Sequence, residues 1–112
     1  MANNDIKEFI DFFHEATKKI RGVEPKFMRG RDGKLTELAL KKFSRTQLEM
    51  MAVWFLAKKS KLSPAVGTML SKALMEELEL KLKNHTFWKE LDEIYERYFS
   101  RQIMLDELFK KK

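Results

Sequence analysis

The chain has 112 residues, 44% hydrophobic and 36% charged, with nine Phe, seven Met, no Cys and a formal net charge of +6. That length suits one compact domain over residues 1–112, and the aromatic content excludes a disordered chain, which lacks the apolar surface to offset ordering entropy. Without cysteine there is no disulfide framework, thiolate metal site or cysteine nucleophile, and four Gly and two Pro among Leu, Lys, Glu, Ala and Met predict an all-α fold.

The opening MANNDIKEF has neither the basic start nor the apolar stretch of a signal peptide, and no apolar run reaches the ~18 residues of a membrane span. The expectation is therefore a cytoplasmic protein with no membrane partner. Asn4 is placed to cap a first helix over about 5–20, with Asp5 and Glu8 near its positive end and Ile6, Phe9, Ile10, Phe13 and Ile20 on one face. Gly22 and Pro25 end the pattern, and Arg21 to Gly33 shows no period, which predicts a long basic loop between the first two helices.

Asp32 is the expected cap of a short second helix over about 34–42, faced by Leu35, Leu38 and Ala39. Ser44 and Gln47 in SRTQ form a capping box for a third helix over about 45–58. Leu48, Met51, Ala52, Phe55 and Leu56, joined by Met50, Val53 and Trp54, make that helix apolar over most of its circumference, as expected of the central one.

Ser63 and Pro64 read as the N-cap and first residue of a fourth helix running to about 83, with Gly67 early enough to permit close packing. Asn84, His85 and Thr86 interrupt the pattern before a fifth helix carrying Phe87, Leu91, Ile94, Tyr95 and Tyr98. Ile103, Met104, Leu105, Leu108 and Phe109 form a sixth short helix or extend the fifth, with fraying expected over 1–4 and in the Lys110–Lys112 tail. The expected architecture is a single-domain bundle of five or six helices.

Charge is distributed unevenly. Between Lys18 and Arg45 lie ten basic residues, Lys18, Lys19, Arg21, Lys26, Arg29, Arg31, Lys34, Lys41, Lys42 and Arg45, against Glu24, Asp32 and Glu37. From Glu76 to Glu96 the acids Glu76, Glu77, Glu79, Glu90, Asp92, Glu93 and Glu96 face Lys81, Lys83 and Lys89. Arginines and glycines on a loop that feeds a helix start suit phosphate contact, because guanidinium groups fork onto phosphate oxygens and helix N-terminal N–H groups add to the field. The ten basic residues are therefore the candidate nucleic-acid contacts, with DNA favoured over RNA, and Lys58, Lys59, Lys61 and Lys72 are candidates to extend the patch. A lysine-rich solvated face is the plainer alternative for any chain this charged.

Other chemistry is poorly supplied. Gly30-Arg31-Asp32-Gly33-Lys34-Leu35 has neither the four-residue glycine spacing nor the hydroxyl residue after lysine that a phosphate-binding P-loop needs. His14 and His85 stand far apart without zinc-ligand spacing, and Asp92, Glu93 and Glu96 lack a companion histidine, so no metal, cofactor or catalytic residue is assigned. The reading is of a non-enzyme. Trp54, Trp88, Phe87 and Phe27 are aromatic candidates for stacking on bases; helical spacing places most of them in the core, whereas Phe27 sits in the basic loop, as an anchor of that loop or as a stacking residue.

From Phe9 to about Tyr98 the chain resembles small helical modules of replication-associated proteins of phages and other mobile elements. The residues that carry the likeness are FIDFFHEATKKIRGVEPKF ahead of GRDGKL, then FSRTQLEMMAVWFL and LSPAVGTMLSKAL, with Gly30, Asp32, Gly33, Lys34 and Leu35 as its tightest string. The resemblance implies an accessory or initiation role in DNA replication, with DNA or a helicase or primase partner. The leading expectation is a nucleic-acid-binding accessory protein. The alternative is a protein-interaction module, a virus-encoded adaptor or inhibitor that binds a host or replication protein; oligomeric state is left open.

Overall fold

The computed structural model describes residues 2–100, with the side chains of all but residues 2, 3, 29 and 100. Six α-helices follow in order: α1 Ala2–Arg21, α2 Arg29–Leu40, α3 Arg45–Lys58, α4 Val66–Met69, α5 Lys72–Leu82 and α6 His85–Tyr95, with a π-helical turn over Glu96–Ser100. This is the expected all-α bundle. Among the described residues the β structure is a single parallel bridge between Lys26 and Ala65.

α3 is the central element because it is apolar on nearly every side. Its Leu48, Met51, Ala52, Val53, Trp54, Phe55 and Leu56 are all buried, packed with Phe9, Phe13 and Ala16 of α1, Val66 and Met69 of α4, Leu78 of α5, and Phe87, Leu91 and Ile94 of α6. The predicted capping box is present: the Ser44 hydroxyl accepts from Gln47 N–H at 3.1 Å, and the Gln47 side chain accepts from Ser44 N–H at 2.9 Å. Together these satisfy two helix-end donors.

Two polar links fix the direction of α1 against α3. At one end Arg45 pairs with Asp5 and Glu8. At the other, Arg21 reaches the carbonyls of Leu56 and Lys59. The two helices therefore run parallel, and α2, which leaves the Arg21 end and arrives at the Arg45 end, runs against both.

Several boundaries differ from the sequence expectation. α1 already includes Asn4, so that residue is not its cap. α2 begins at Arg29 rather than near Lys34, taking Gly30 and Gly33 into the helix, and its N-cap is Met28. Asp32 caps from within: its Oδ2 accepts the Met28 N–H at 2.9 Å while its own N–H donates to the Met28 carbonyl at 2.8 Å. The carboxylate thus satisfies an orphan donor of the first turn and lies near the positive end of the helix dipole.

The predicted helix over 64–83 is divided in two. Pro64 belongs to an extended stretch whose carbonyl accepts the Lys26 N–H at 3.2 Å, so helical geometry starts only at Val66. Leu70 and Ser71 leave it again: Ser71 is extended (φ −65°, ψ 155°), and its hydroxyl donates to the Thr68 carbonyl at 2.9 Å while its carbonyl accepts Met75 N–H to begin α5. Serine competes in this way with continuous helix wherever its hydroxyl can take a local backbone partner. Asn84 caps α6, its Oδ1 accepting the Thr86 N–H at 2.9 Å. The sixth segment predicted at Ile103–Phe109 and the Lys110–Lys112 tail lie outside the described residues.

Candidate nucleic-acid interface

The buried stripe of α1 leads to its one structural arginine. Phe13 and Thr17 are fully buried at i and i+4, the Thr17 hydroxyl donating to the Phe13 carbonyl at 2.7 Å, and Arg21 is the next residue on that stripe. Its stem therefore runs inward and passes the Phe55 ring, 5.7 Å from the guanidinium carbon to the centroid. The guanidinium emerges where α3 ends, and there helix-end carbonyls lack partners. Nε donates to the Leu56 carbonyl at 2.9 Å, Nη2 to that of Lys59 at 2.7 Å, and Nη1 to that of Leu62. Burial pulls its pKa below the ordinary arginine value. Gly22, at φ 70°, then ends α1 in the left-handed region with its N–H on the Lys18 carbonyl.

This clamp gathers chain segments that are remote in sequence. The C-terminus of α1 with Lys18 and Lys19 meets the end of α3 at Lys58 and the following turn that carries Lys59 and Lys61, and the 22–28 loop is tied alongside by the Lys26–Pro64 hydrogen bond. Arg31, at the start of α2, lays its guanidinium against Gly67: a Cβ at that glycine would stand 2.6 Å from Arg31 Nη2. The expected close approach at Gly67 is thus made by a cation. Lys58, Lys59, Ser60, Lys61 and Leu62 line an open concavity of about 320 Å³ at this pole. A smaller one, about 80 Å³, is lined by Ala57, Lys58, Glu93, Ile94, Arg97 and Tyr98, and it brings in Arg97, which follows the acidic stretch ending at Glu96 and is not among the ten candidates.

Not all ten candidates share this pole. Lys18 is paired with Glu24 at 3.3 Å, and Lys19 lies over the Phe99 ring at 5.5 Å. Lys26, Lys34 and Arg31 are exposed; Lys26 and Lys34 have no carboxylate partner among the described residues, and Arg31 Nε is 3.7 Å from Asp32 Oδ1. Asp32 is 1% exposed. Arg29 begins α2 at the same pole, and its side chain lies outside the described ones.

Lys41, Lys42 and Arg45 lie beyond the far end of α2, roughly 18 Å away at 1.5 Å per residue. Lys42 is bound to Glu79 at 3.0 Å. Arg45 is surrounded by carboxylates: Glu8, Asp5 at 3.9 Å and Glu49 at 3.5 Å. Glu49 itself is raised above the ordinary glutamate range, chiefly by burial, with Arg45 opposing and Asp5 adding to the shift. The structure therefore brings together the first part of the basic segment and adds the 58–61 turn, while it leaves the last part at a charge-balanced opposite end.

The aromatics divide similarly. Trp54 and Phe87 are core residues, with Trp54 Nε1 donating to Glu90 at 2.9 Å and its ring flanked by Lys81 and Lys59. That donated hydrogen bond, ahead of Lys81, lowers the Glu90 pKa. Trp88 is exposed at the start of α6, and Phe27 is exposed in the basic loop, 5.4 Å edge-to-face from His14.

Among the described residues no three His, Asp or Glu side chains are grouped to hold a metal ion, and no helix is long and apolar enough to cross a membrane. No family model matches the chain, and no curated protein or solved structure does either.

Proposed function

We propose that the chain is a non-enzymatic nucleic-acid-binding accessory protein that grips the phosphate backbone with its basic pole. The observation that carries this reading is the Arg21 clamp: by tying the end of α1 to the turn after α3, it sets Lys26, Arg31, Lys58 and Lys61 around one end of the molecule, beside the Lys18–Glu24 and Lys59–Glu77 pairs. A cluster of cations at one end attracts a polyanion without reading its sequence. The replication setting rests on the resemblance of the GRDGKL string and its flanking helices, and DNA is the favoured polymer.

Binding should weaken steeply with salt, because each neutralised phosphate releases counterions. Fluorescence anisotropy with labelled DNA at rising salt tests the reading; no affinity even at low salt would remove it.

A second reading, a protein-interaction module, draws on a different surface. Leu35, Leu38, Ala39, Phe43, Leu70 and Met75 line an open apolar groove of about 240 Å³ between α2 and α5, bordered by the Lys42–Glu79 pair. Stoichiometric capture of one protein after nuclease treatment, lost on Leu38→Asp, would favour that reading over the first.

A further inference from the structure

Three large apolar residues, Val23, Phe27 and Met28, stand 50%, 43% and 54% exposed within six residues of loop. Leaving such side chains in water forgoes about 25 cal/mol for each Å² that burial would remove. The loop that carries them is not loosely held. Gly22 fixes its entry, the Lys26–Pro64 hydrogen bond fixes its middle, and Asp32 fixes its exit by accepting the Met28 N–H. Phe27 is braced edge-to-face against His14, whose Nε2 is buried without a hydrogen-bond partner.

We propose that this loop is a stacking platform for unpaired bases, so that the partner of the basic pole is single-stranded nucleic acid. The inference rests on the phosphate-binding reading above and specifies the form of the polymer. A duplex turns its phosphates outward and keeps its base faces stacked inside, so it satisfies Lys26, Arg31 and Lys61 but gives Val23, Phe27 and Met28 nothing to cover them. A single strand offers both parts at once: a backbone for the cations and free base faces for the braced ring, a combination that tolerates any sequence because every base has a π-face. The neighbouring cations, Lys26 beside Phe27 in the chain, Arg31 one helical turn beyond Met28, and Lys61 in the turn tied to the loop, select a polyanion over an uncharged apolar partner.

The test compares the whole chain with an oligothymidylate of about 20 nucleotides and a duplex of about 20 base pairs, by anisotropy at low salt. The single strand should bind more tightly. Phe27→Ala should weaken single-strand binding by about 5- to 100-fold, with the salt slope and duplex binding unchanged. Phe27→Trp should retain the affinity. Phe27→Leu keeps an apolar contact for His14 but supplies no ring, so it carries the same test if Phe27→Ala proves unfolded by thermal melting.

Equal or tighter duplex binding, or full single-strand affinity in Phe27→Leu, overturns the stacking platform and leaves phosphate binding intact. Failure to bind either oligonucleotide removes both readings. Phe27-dependent sedimentation with phosphatidylserine vesicles, with no oligonucleotide binding, would also overturn the proposal and assign the loop to an anionic lipid surface.

Discussion

Arg21 and Arg45 stand at opposite ends of the same central helix, and their partners differ in kind. Arg21 meets the C-terminal carbonyls of α3 and its following turn, which are dipoles. Arg45 meets the carboxylates of Asp5, Glu8 and Glu49, which are charges. A cation held by carbonyls keeps its formal charge and draws more cations' segments together, so its pole keeps an excess of cations although Lys18 and Lys59 there are paired with Glu24 and Glu77. A cation held by carboxylates is cancelled, so the other end is balanced. Both arginines came from one basic stretch of sequence, and partner chemistry rather than composition separates a positive pole from a structural ion-pair cluster.

The largest expected effect breaks the first of these ends. Arg21→Ala removes three charge-assisted bonds, taking their side-chain donor from the part-buried carbonyls of Leu56 and Leu62 while the Lys59 carbonyl keeps the Leu62 N–H, and should lower stability by about 3 kcal/mol in urea unfolding. Arg21→Lys should recover little, since one ammonium cannot reproduce the guanidinium fork. Arg45→Ala, by contrast, should cost no more than about 1 kcal/mol, because Asp5 and Glu8 are largely exposed and screened and only Glu49 is half-buried. Equal losses for the two would erase the distinction between them.

The next effect is read in binding. Lys26→Ala with Lys61→Ala should reduce DNA affinity about tenfold at low salt and flatten the log–log salt slope by about 1.5, while Lys41→Ala with Arg45→Ala leaves both unchanged. If the far-end pair weakened binding as much, the phosphate path would run along α2 rather than around the pole.

Much of the fold was legible because its signals are local. The Ser44–Gln47 box, the all-round apolar pattern of α3 and the Asn84 break each depend on residues within one or two turns. The start of α2 was obscured because Gly30 and Gly33 read as loop, whereas Asp32 stabilises a first turn beginning earlier by reaching back to Met28. The interruption at Leu70 and Ser71 was illegible for a similar reason: Ser71 in a helical pattern does not reveal whether its hydroxyl will take the Thr68 carbonyl. The candidate site was legible only as a list of cations. Arg21 stacked past Phe55 onto α3, Arg97 brought beside Lys58, and Arg45 set among acids of α1 are all consequences of tertiary contacts between distant segments; only the four-residue steps from Phe13 through Thr17 to Arg21 point, within the chain, to the first of them.

Smaller effects sharpen the boundary of the pole. Trp54→Phe removes the Nε1–H donor to Glu90 and should cost about 1 kcal/mol, with the packing against Phe87 largely kept. Glu90 is bound more strongly as carboxylate in the folded chain, so its contribution is present above the unfolded glutamate pKa and lost as pH falls through its lowered folded value. Trp54 fluorescence should therefore shift below the ordinary glutamate range in the parent and not in Glu90→Gln. Glu49, raised by burial, acts in the opposite sense: protonation relieves its desolvation, so its share of stability increases as pH falls through its folded value.

Gly67→Ala has the smallest expected effect on stability and tests a single cation without removing it. The new methyl would stand 2.6 Å from Arg31 Nη2 and must displace it, but that guanidinium is the far end of a flexible side chain that is 55% exposed. Alanine also gains up to about 1 kcal/mol of helix propensity over glycine, so the two effects should offset to within about 0.5 kcal/mol. DNA affinity should nonetheless fall, by about threefold, because Arg31 is moved from its place beside the loop. A stability loss above about 1 kcal/mol would show instead that Arg31 is held against Gly67 as Arg21 is held against α3. Arg31 would then join the residues that build the pole rather than those that meet phosphate.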